Sequence, residues 1–145
     1  MGMKVLPALM LLIACGNGGV AGQNTKKEGN DTGNVADADP PVIVFEPFSD
    51  AQPADVDMAF SATITDASAL LVVELHYRQE TSGSKDWSTL AFRPGDGENE
   101  WTSKIPAEEL RSAGLYYYLE AVDTSQNDAV LPSGSTTSYH VRLSG

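Results

Sequence analysis

Cysteine is almost absent from this 145-residue chain: Cys15 is the only one. An intrachain disulfide is therefore excluded, as is a metal site built on several thiolates. Long hydrophobic runs are missing too. The longest, Val5–Ala14, is interrupted by Pro7 and covers about 10 residues, where a bilayer-spanning helix needs about 20. Positive charge is scarce, with 9 Lys and Arg against 20 Asp and Glu and a net charge of −11. Such a chain repels phosphates, which argues against nucleic acid and against peripheral binding to anionic head groups. Catalytic signatures are also lacking. The sequence holds no Gly-x-Ser-x-Gly elbow, no His-Glu-x-x-His and no glycine-rich phosphate loop. Gly95-Asp96-Gly97 falls between two strand-like runs and reads as a turn. These absences predict a non-enzyme without a cofactor or a dedicated metal set. No internal repeat and no long amphipathic helix pattern is present.

The N-terminus carries the most specific signal. Lys4 precedes the apolar stretch, which ends in Leu12-Ile13-Ala14-Cys15. A run this short between a basic residue and a small one suits a cleaved leader rather than an anchor helix. A plain secretory leader with a chance cysteine is the competing reading. Myristoylation at Gly2 is disfavoured because position 6 is Leu rather than Ser or Thr. The tetrapeptide resembles the lipobox of bacterial lipoproteins. That resemblance implies cleavage before Cys15, a leader over residues 1–14, and a diacylglycerol thioether on Cys15. Each buried CH₂ contributes ~0.8 kcal/mol, so two or three acyl chains such as palmitate hold a protein to the membrane essentially permanently. Gly16, where an aspartate would mark inner-membrane retention, leans to the outer membrane of a bacterial cell envelope. Once Cys15 is lipidated, no thiol remains, and the exported domain must fold on its core alone.

Residues 15–39 are rich in Gly, Asn, Asp and Thr and nearly empty of large apolar side chains. Such a segment cannot bury enough surface to offset its ordering entropy, which predicts a flexible linker. Its end-to-end distance is roughly 25–30 Å, with a taut limit near about 80 Å. Asn30-Asp31-Thr32 fits a glycosylation sequon, which carries little weight in a bacterial setting. Pro40-Pro41 closes the linker and stiffens the entry to the domain.

From residue 40 to residue 145 the pattern changes. Short runs of β-branched and aromatic residues alternate with clusters of Gly, Asp, Ser and Pro, the spacing of an all-β sandwich. Seven strands are predicted, over residues 42–45, 56–64, 70–79, 87–92, 100–105, 115–122 and 136–143. A single helical turn is predicted over 106–111, with Pro106 at its start. Alternation places Met58, Phe60, Ala62 and Ile64 on one inward face, Val73, Leu75 and Tyr77 on another, and Leu115, Tyr117, Leu119 and Ala121 on a third.

Four segments then follow in order: Phe60-Ser61-Ala62-Thr63-Ile64-Thr65-Asp66, Leu75-His76-Tyr77-Arg78, Ile105-Pro106-Ala107, and Tyr117-Tyr118-Leu119-Glu120-Ala121-Val122-Asp123. The series resembles the Ig-like, fibronectin type III-like domains of bacterial surface and secreted proteins, over roughly residues 40–143. The resemblance implies one seven-stranded sandwich. It also implies a tyrosine corner at Tyr117, its hydroxyl bonding back to the chain before its own strand. Phe60 takes the place of the tryptophan usual in the second strand of fibronectin type III domains, and the cysteine pair of antibody domains is missing. The family's modules are scaffolds, spacers and binders, so no catalytic residues carry over.

In that topology the strands over 70–79, 115–122 and 136–143 lie side by side. Parity turns Glu74, His76, Arg78, Tyr116, Tyr118, Glu120, Ser138, His140 and Arg142 outward. Ordinary cross-strand pairing accounts for most such faces. The sharper reading is a binding face of His76, Arg78, Tyr116, Tyr118, His140 and Arg142, where the tyrosines offer flat contact area to a protein or a glycan. Asp66, Asp123, Asn127 and Asp128 gather at one end of the sandwich. Oxygen ligands there suit calcium, but strand-ending Asx turns explain the same residues more simply. The leading functional expectation is a non-catalytic envelope lipoprotein serving interaction or assembly. A glycan-retaining module and a structural spacer are the alternatives.

Overall fold

The computed structural model describes residues 36–81, 83 and 85–145. The leader, the lipidation call at Cys15 and the linker as far as residue 35 lie outside the described residues.

Among the described residues ten strand segments form: β1 (Val42–Val44), β2 (Gln52–Pro53), β3 (Met58–Thr65), β4 (Leu70–Gln79), β5 (Ser88–Ala91), β6 (Arg93–Pro94), β7 (Glu100–Ile105), β8 (Gly114–Asp123), β9 (Asp128–Leu131) and β10 (Tyr139–Ser144). A 3-10 turn spans Ala107–Glu109 directly after Pro106, where one helical turn was expected. Each of the seven expected strands has a counterpart. The short segments β2, β6 and β9 are additional. No described helix is long and apolar enough to cross a membrane.

Alternation decides the layers. In β3 every second residue, from Met58 to Ile64, is buried and its neighbours are exposed. In β8 Leu115, Tyr117, Leu119 and Ala121 are fully buried. The smaller sheet runs β1-β3-β7-β6, and the larger runs β2-β10-β8-β4-β5 with β9 also paired to β8. Pairing is antiparallel throughout except between β2 and β10, which run parallel. The chain is thus an all-β protein whose two sheets bury their facing sides in a shared core, the arrangement of a sandwich. Phe60 of the smaller sheet meets Tyr117 of the larger at 5.3 Å between ring centroids, nearly edge to face. Phe45, Phe48 and Tyr139 close around this pair.

Two expectations need correction. The hydroxyl of Tyr117 does not bond to the chain before its own strand. It accepts a long hydrogen bond, 3.4 Å, from the N–H of Phe48 in the β1–β2 connection. The reason is packing: Phe45 and Phe48 fold over the Tyr117 ring and bring that stretch of backbone to its oxygen. The last strand also begins later than expected. Thr136, Thr137 and Ser138 lie outside it, and the strand starts at Tyr139. Before it, β9 pairs with residues 119–122 of β8, whereas β10 pairs with residues 114–117. Between the two, Pro132 follows a cis peptide and Gly134 takes a positive φ of 83°. Proline cannot donate to a ladder and glycine tolerates the left-handed turn, so the chain leaves the sheet there and returns.

At one edge of the smaller sheet β6 and β7 form a hairpin whose turn is held by Glu100. Its carboxylate accepts the N–H of Gly97 (2.9 Å) and the hydroxyl of Ser61 (3.0 Å). A Cβ on Gly95 would stand 2.7 Å from that carboxylate, so any larger residue there must displace the Glu100 side chain. Pro94 sits in β6, an edge strand, where a missing donor costs least.

Candidate functional site

The outward face of the larger sheet is organised in rows set by strand register. His140 pairs with Tyr116 and Tyr116 with Arg78, making one row across β10, β8 and β4. Tyr118, His76 and Thr89 make the next row, and Val130, Glu120, Glu74 and Ala91 the one after it.

Contacts in the first row form a stack. The Arg78 guanidinium lies 4.7 Å from the Tyr116 ring centre and 5.2 Å from that of Trp87. Cation–π attraction between a planar cation and two rings holds such a sandwich. Among the described residues the buried Nε of Arg78 has no hydrogen-bond partner. Tyr116 leans on His140 at 4.7 Å, and His140 Nε2 meets the Glu80 carboxylate at 2.9 Å. Gly114 makes room for that pair, since a Cβ there would stand 2.8 Å from both His140 Nε2 and the carbonyl of Val141.

The second row is tighter. The His76 ring is parallel to that of Tyr118, within 7° and at 4.4 Å. Its Nδ1 meets the Thr89 hydroxyl at 3.1 Å, and its Nε2 meets Glu120 at 3.0 Å and Glu74 at 3.4 Å. Only 13% of the His76 side chain is exposed, although it sits on the outer face. Trp87 closes on Tyr118 from its edge at 4.9 Å. Burial first, then the Glu120 and Glu74 charges, push the Tyr118 hydroxyl above its ordinary range, so it stays protonated.

The break between β9 and β10 adds relief to this face. Tyr118 is the β8 residue left between the two pairings. Above it opens a cleft of about 670 Å³ lined by Trp87, Tyr118, Glu120, Val130, Pro132 and the 133–137 loop. This is within the volume range of small-ligand sites, roughly 300–1,000 Å³. A second cleft, of about 640 Å³, runs between β5 and β7 beside Arg93 and Lys104, away from the aromatic face.

The chain matches no family model and no curated protein.

Of the expected face, His76, Arg78, Tyr116, Tyr118 and His140 are thus drawn into two contiguous stacks. Arg142 lies on β10 opposite Gly114, exposed and outside both stacks. Trp87, Glu80 and the cleft walls were not expected. In the strand expected over 87–92, Trp87 falls on the face opposite Leu90 and Phe92 and so outward, and Pro132-Ser133-Gly134 was legible as a turn.

At the sandwich end, Asp66 and Asp123 do meet, joined by Asp37, with one carboxylate oxygen of each inside 4.8 Å. Asp66 accepts the N–H of Ser68 two residues on (2.6 Å), an Asx turn. Asp123 is fully buried and accepts the backbone N–H and the side-chain amide of Asn127, at 2.9 and 2.8 Å. Asp37 accepts the Ser68 hydroxyl at 2.7 Å, and this bond with the Asp39 N–H lowers its pKa. Asp128 is not part of this group. It opens β9 and faces the cleft.

Proposed function

We propose that this protein is a non-catalytic lipoprotein of the bacterial cell envelope. In this reading acyl chains on Cys15 hold it to the membrane, and an Ig-like, fibronectin type III-like sandwich presents the outer face of its larger sheet to a partner. The cleft above Tyr118 carries the reading. It is open and aromatic-floored, it is flanked by the carboxylates of Glu120 and Asp128, and Trp87 packs edge-on against Tyr118 in its floor. Preformed aromatic contact area with a few placed polar groups is what recognition surfaces use. Strand order supports the subfamily. A first strand split so that its second part runs parallel to the last strand, as β2 does with β10, is compatible with an Ig-like sandwich. The net charge of −11 supports attachment through lipid rather than through head-group charge.

The test replaces Trp87 and Tyr118 together with alanine. Both lie at the outer surface, so the fold should persist, and a thermal melt checks this. Envelope proteins crosslinked to the wild type but lost on the double variant support the interaction reading. Loss of glycan retention instead points to a carbohydrate module. Unchanged behaviour in both assays leaves a spacer and ends the proposal. The anchor is tested separately by detergent partitioning. Wild type should enter the detergent phase and Cys15→Ser the aqueous phase; equal partitioning of both into water would refute lipidation.

A further inference from the structure

We propose that Glu74, His76 and Glu120 form a binding site for one divalent transition-metal ion of the zinc class. The inference stands whether or not the neighbouring cleft takes a partner.

Register supplies the first argument. Glu74 and Glu120 are direct partners across β4 and β8, a position where like charges oppose pairing. Among the described residues no Lys or Arg pairs with either carboxylate; both point at His76. A cation between them removes the conflict. Spacing supplies the second argument. The two carboxylate oxygens stand 3.4 and 3.0 Å from His76 Nε2, and the three donor atoms all lie within 4.8 Å of one another. In a tetrahedral centre with bonds of 2.0–2.1 Å, neighbouring ligand atoms are roughly 3.3–3.4 Å apart. Two of the three edges are therefore close to those of an occupied site.

The imidazole is also prepared for the task. Thr89 faces Nδ1 at 3.1 Å. When Nδ1–H donates to that hydroxyl, Nε2 presents its lone pair to the carboxylates' side, the arrangement by which outer partners orient ligating histidines. Stacking on Tyr118 fixes the ring plane. One imidazole and two carboxylates suit zinc and its neighbours, whereas calcium and magnesium prefer all-oxygen sets. Three protein ligands leave a fourth position open to water or to a donor from outside. The competing occupant is a proton on Nε2, which satisfies both carboxylates through an imidazolium.

The experiment is a calorimetric titration of the untagged full-length chain with Zn²⁺ at neutral pH. All proteins carry Cys15→Ser so that its thiol cannot ligate. One saturable site is expected. His76→Ala and Glu120→Gln should each weaken it by more than about tenfold, and Thr89→Val by about tenfold through the orienting bond. His140→Ala should leave it unchanged. Proton–nitrogen NMR should show Zn²⁺ shifting Nε2 of His76 and not the nitrogens of His140. Thermal melts confirm that each variant is folded, and the NMR shift reads ligation without any substitution. Absence of saturable binding up to millimolar Zn²⁺, survival of the site in His76→Ala, or a shift at His140 alone would overturn the proposal.

Discussion

Phe60→Ala should be among the most damaging single changes in this domain. The ring is 1% exposed and belongs to the smaller sheet. It meets Phe48 and Tyr117 at 5.3 Å each, both close to edge-on, and lies parallel to Phe45 at 6.3 Å. Truncating a buried phenylalanine costs about 3–5 kcal/mol, from lost transfer energy and the cavity left behind. Total stability for a domain of this size is roughly 5–15 kcal/mol, so a large fraction is at stake. At roughly 4–8 °C per kcal/mol the melting temperature should drop by more than about 12 °C. Phe60→Leu keeps most of the volume and forfeits the ring geometry, which places its cost near about 1–2 kcal/mol. Urea titration followed by tryptophan fluorescence measures both, with an unchanged slope confirming the same unfolding reaction. A double-mutant cycle sharpens the test. Phe60 with Tyr117 should couple by about 0.5–1.5 kcal/mol across the two sheets. Phe60 with Tyr118, which faces the other way, should show no coupling beyond about 0.5 kcal/mol. A Phe60→Ala cost below about 1.5 kcal/mol, or equal coupling to both tyrosines, would refute the packing described here.

Other outcomes follow from single contacts. Gly114→Ala drives a Cβ into the carbonyl of Val141 and the Glu80–His140 pair, and should cost about 1–3 kcal/mol in the same urea assay; a neutral result would contradict the close approach. Arg78→Lys replaces a planar cation between Trp87 and Tyr116 with a point charge. It should cost about 1 kcal/mol and change the Trp87 fluorescence; an unaltered emission spectrum would count against the stack. Hydrogen bonds lower the pKa values of Asp37, Asp57 and Glu100 below 3.8, 3.8 and 4.5. Their contribution to stability is present above those values and should be lost as pH falls through the folded-state pKa values. Acid titration of Glu100→Gln should show a shallower loss than wild type. Burial pushes Tyr77 and Tyr117 up to about 12 from 10.0, Tyr77 with help from Glu109. The unfolded chain releases these protons first, so stability should decline as pH rises from 10 toward about 12. Phenolate absorbance should lag behind that of a free tyrosine; titration of all five tyrosines near 10 would refute it.

Period-two alternation determined the all-β class and the inward set. A strand packed on one side must turn alternate residues to the core, and Met58, Phe60, Ala62, Ile64, Leu75, Tyr77, Tyr117 and Leu119 could be assigned without knowing their neighbours. Parity likewise determined which residues of β4, β8 and β10 face outward. What alternation does not contain is distance along and between strands. That Asp37 would reach Asp66 and Asp123, that Trp87 would cap Arg78, and that Glu74 and Glu120 would oppose one another around His76 depend on register and on where turns return the chain. The added strand β9 ahead of β10, whose return opens the cleft over Tyr118, was equally out of reach. A four-residue strand between the Thr124-Ser125 turn and a proline carries too little pattern of its own; β8, about ten positions earlier, supplies the ladder that holds it. Local sequence thus decides which side of a sheet a residue occupies, and only the assembled sheets decide what it touches there.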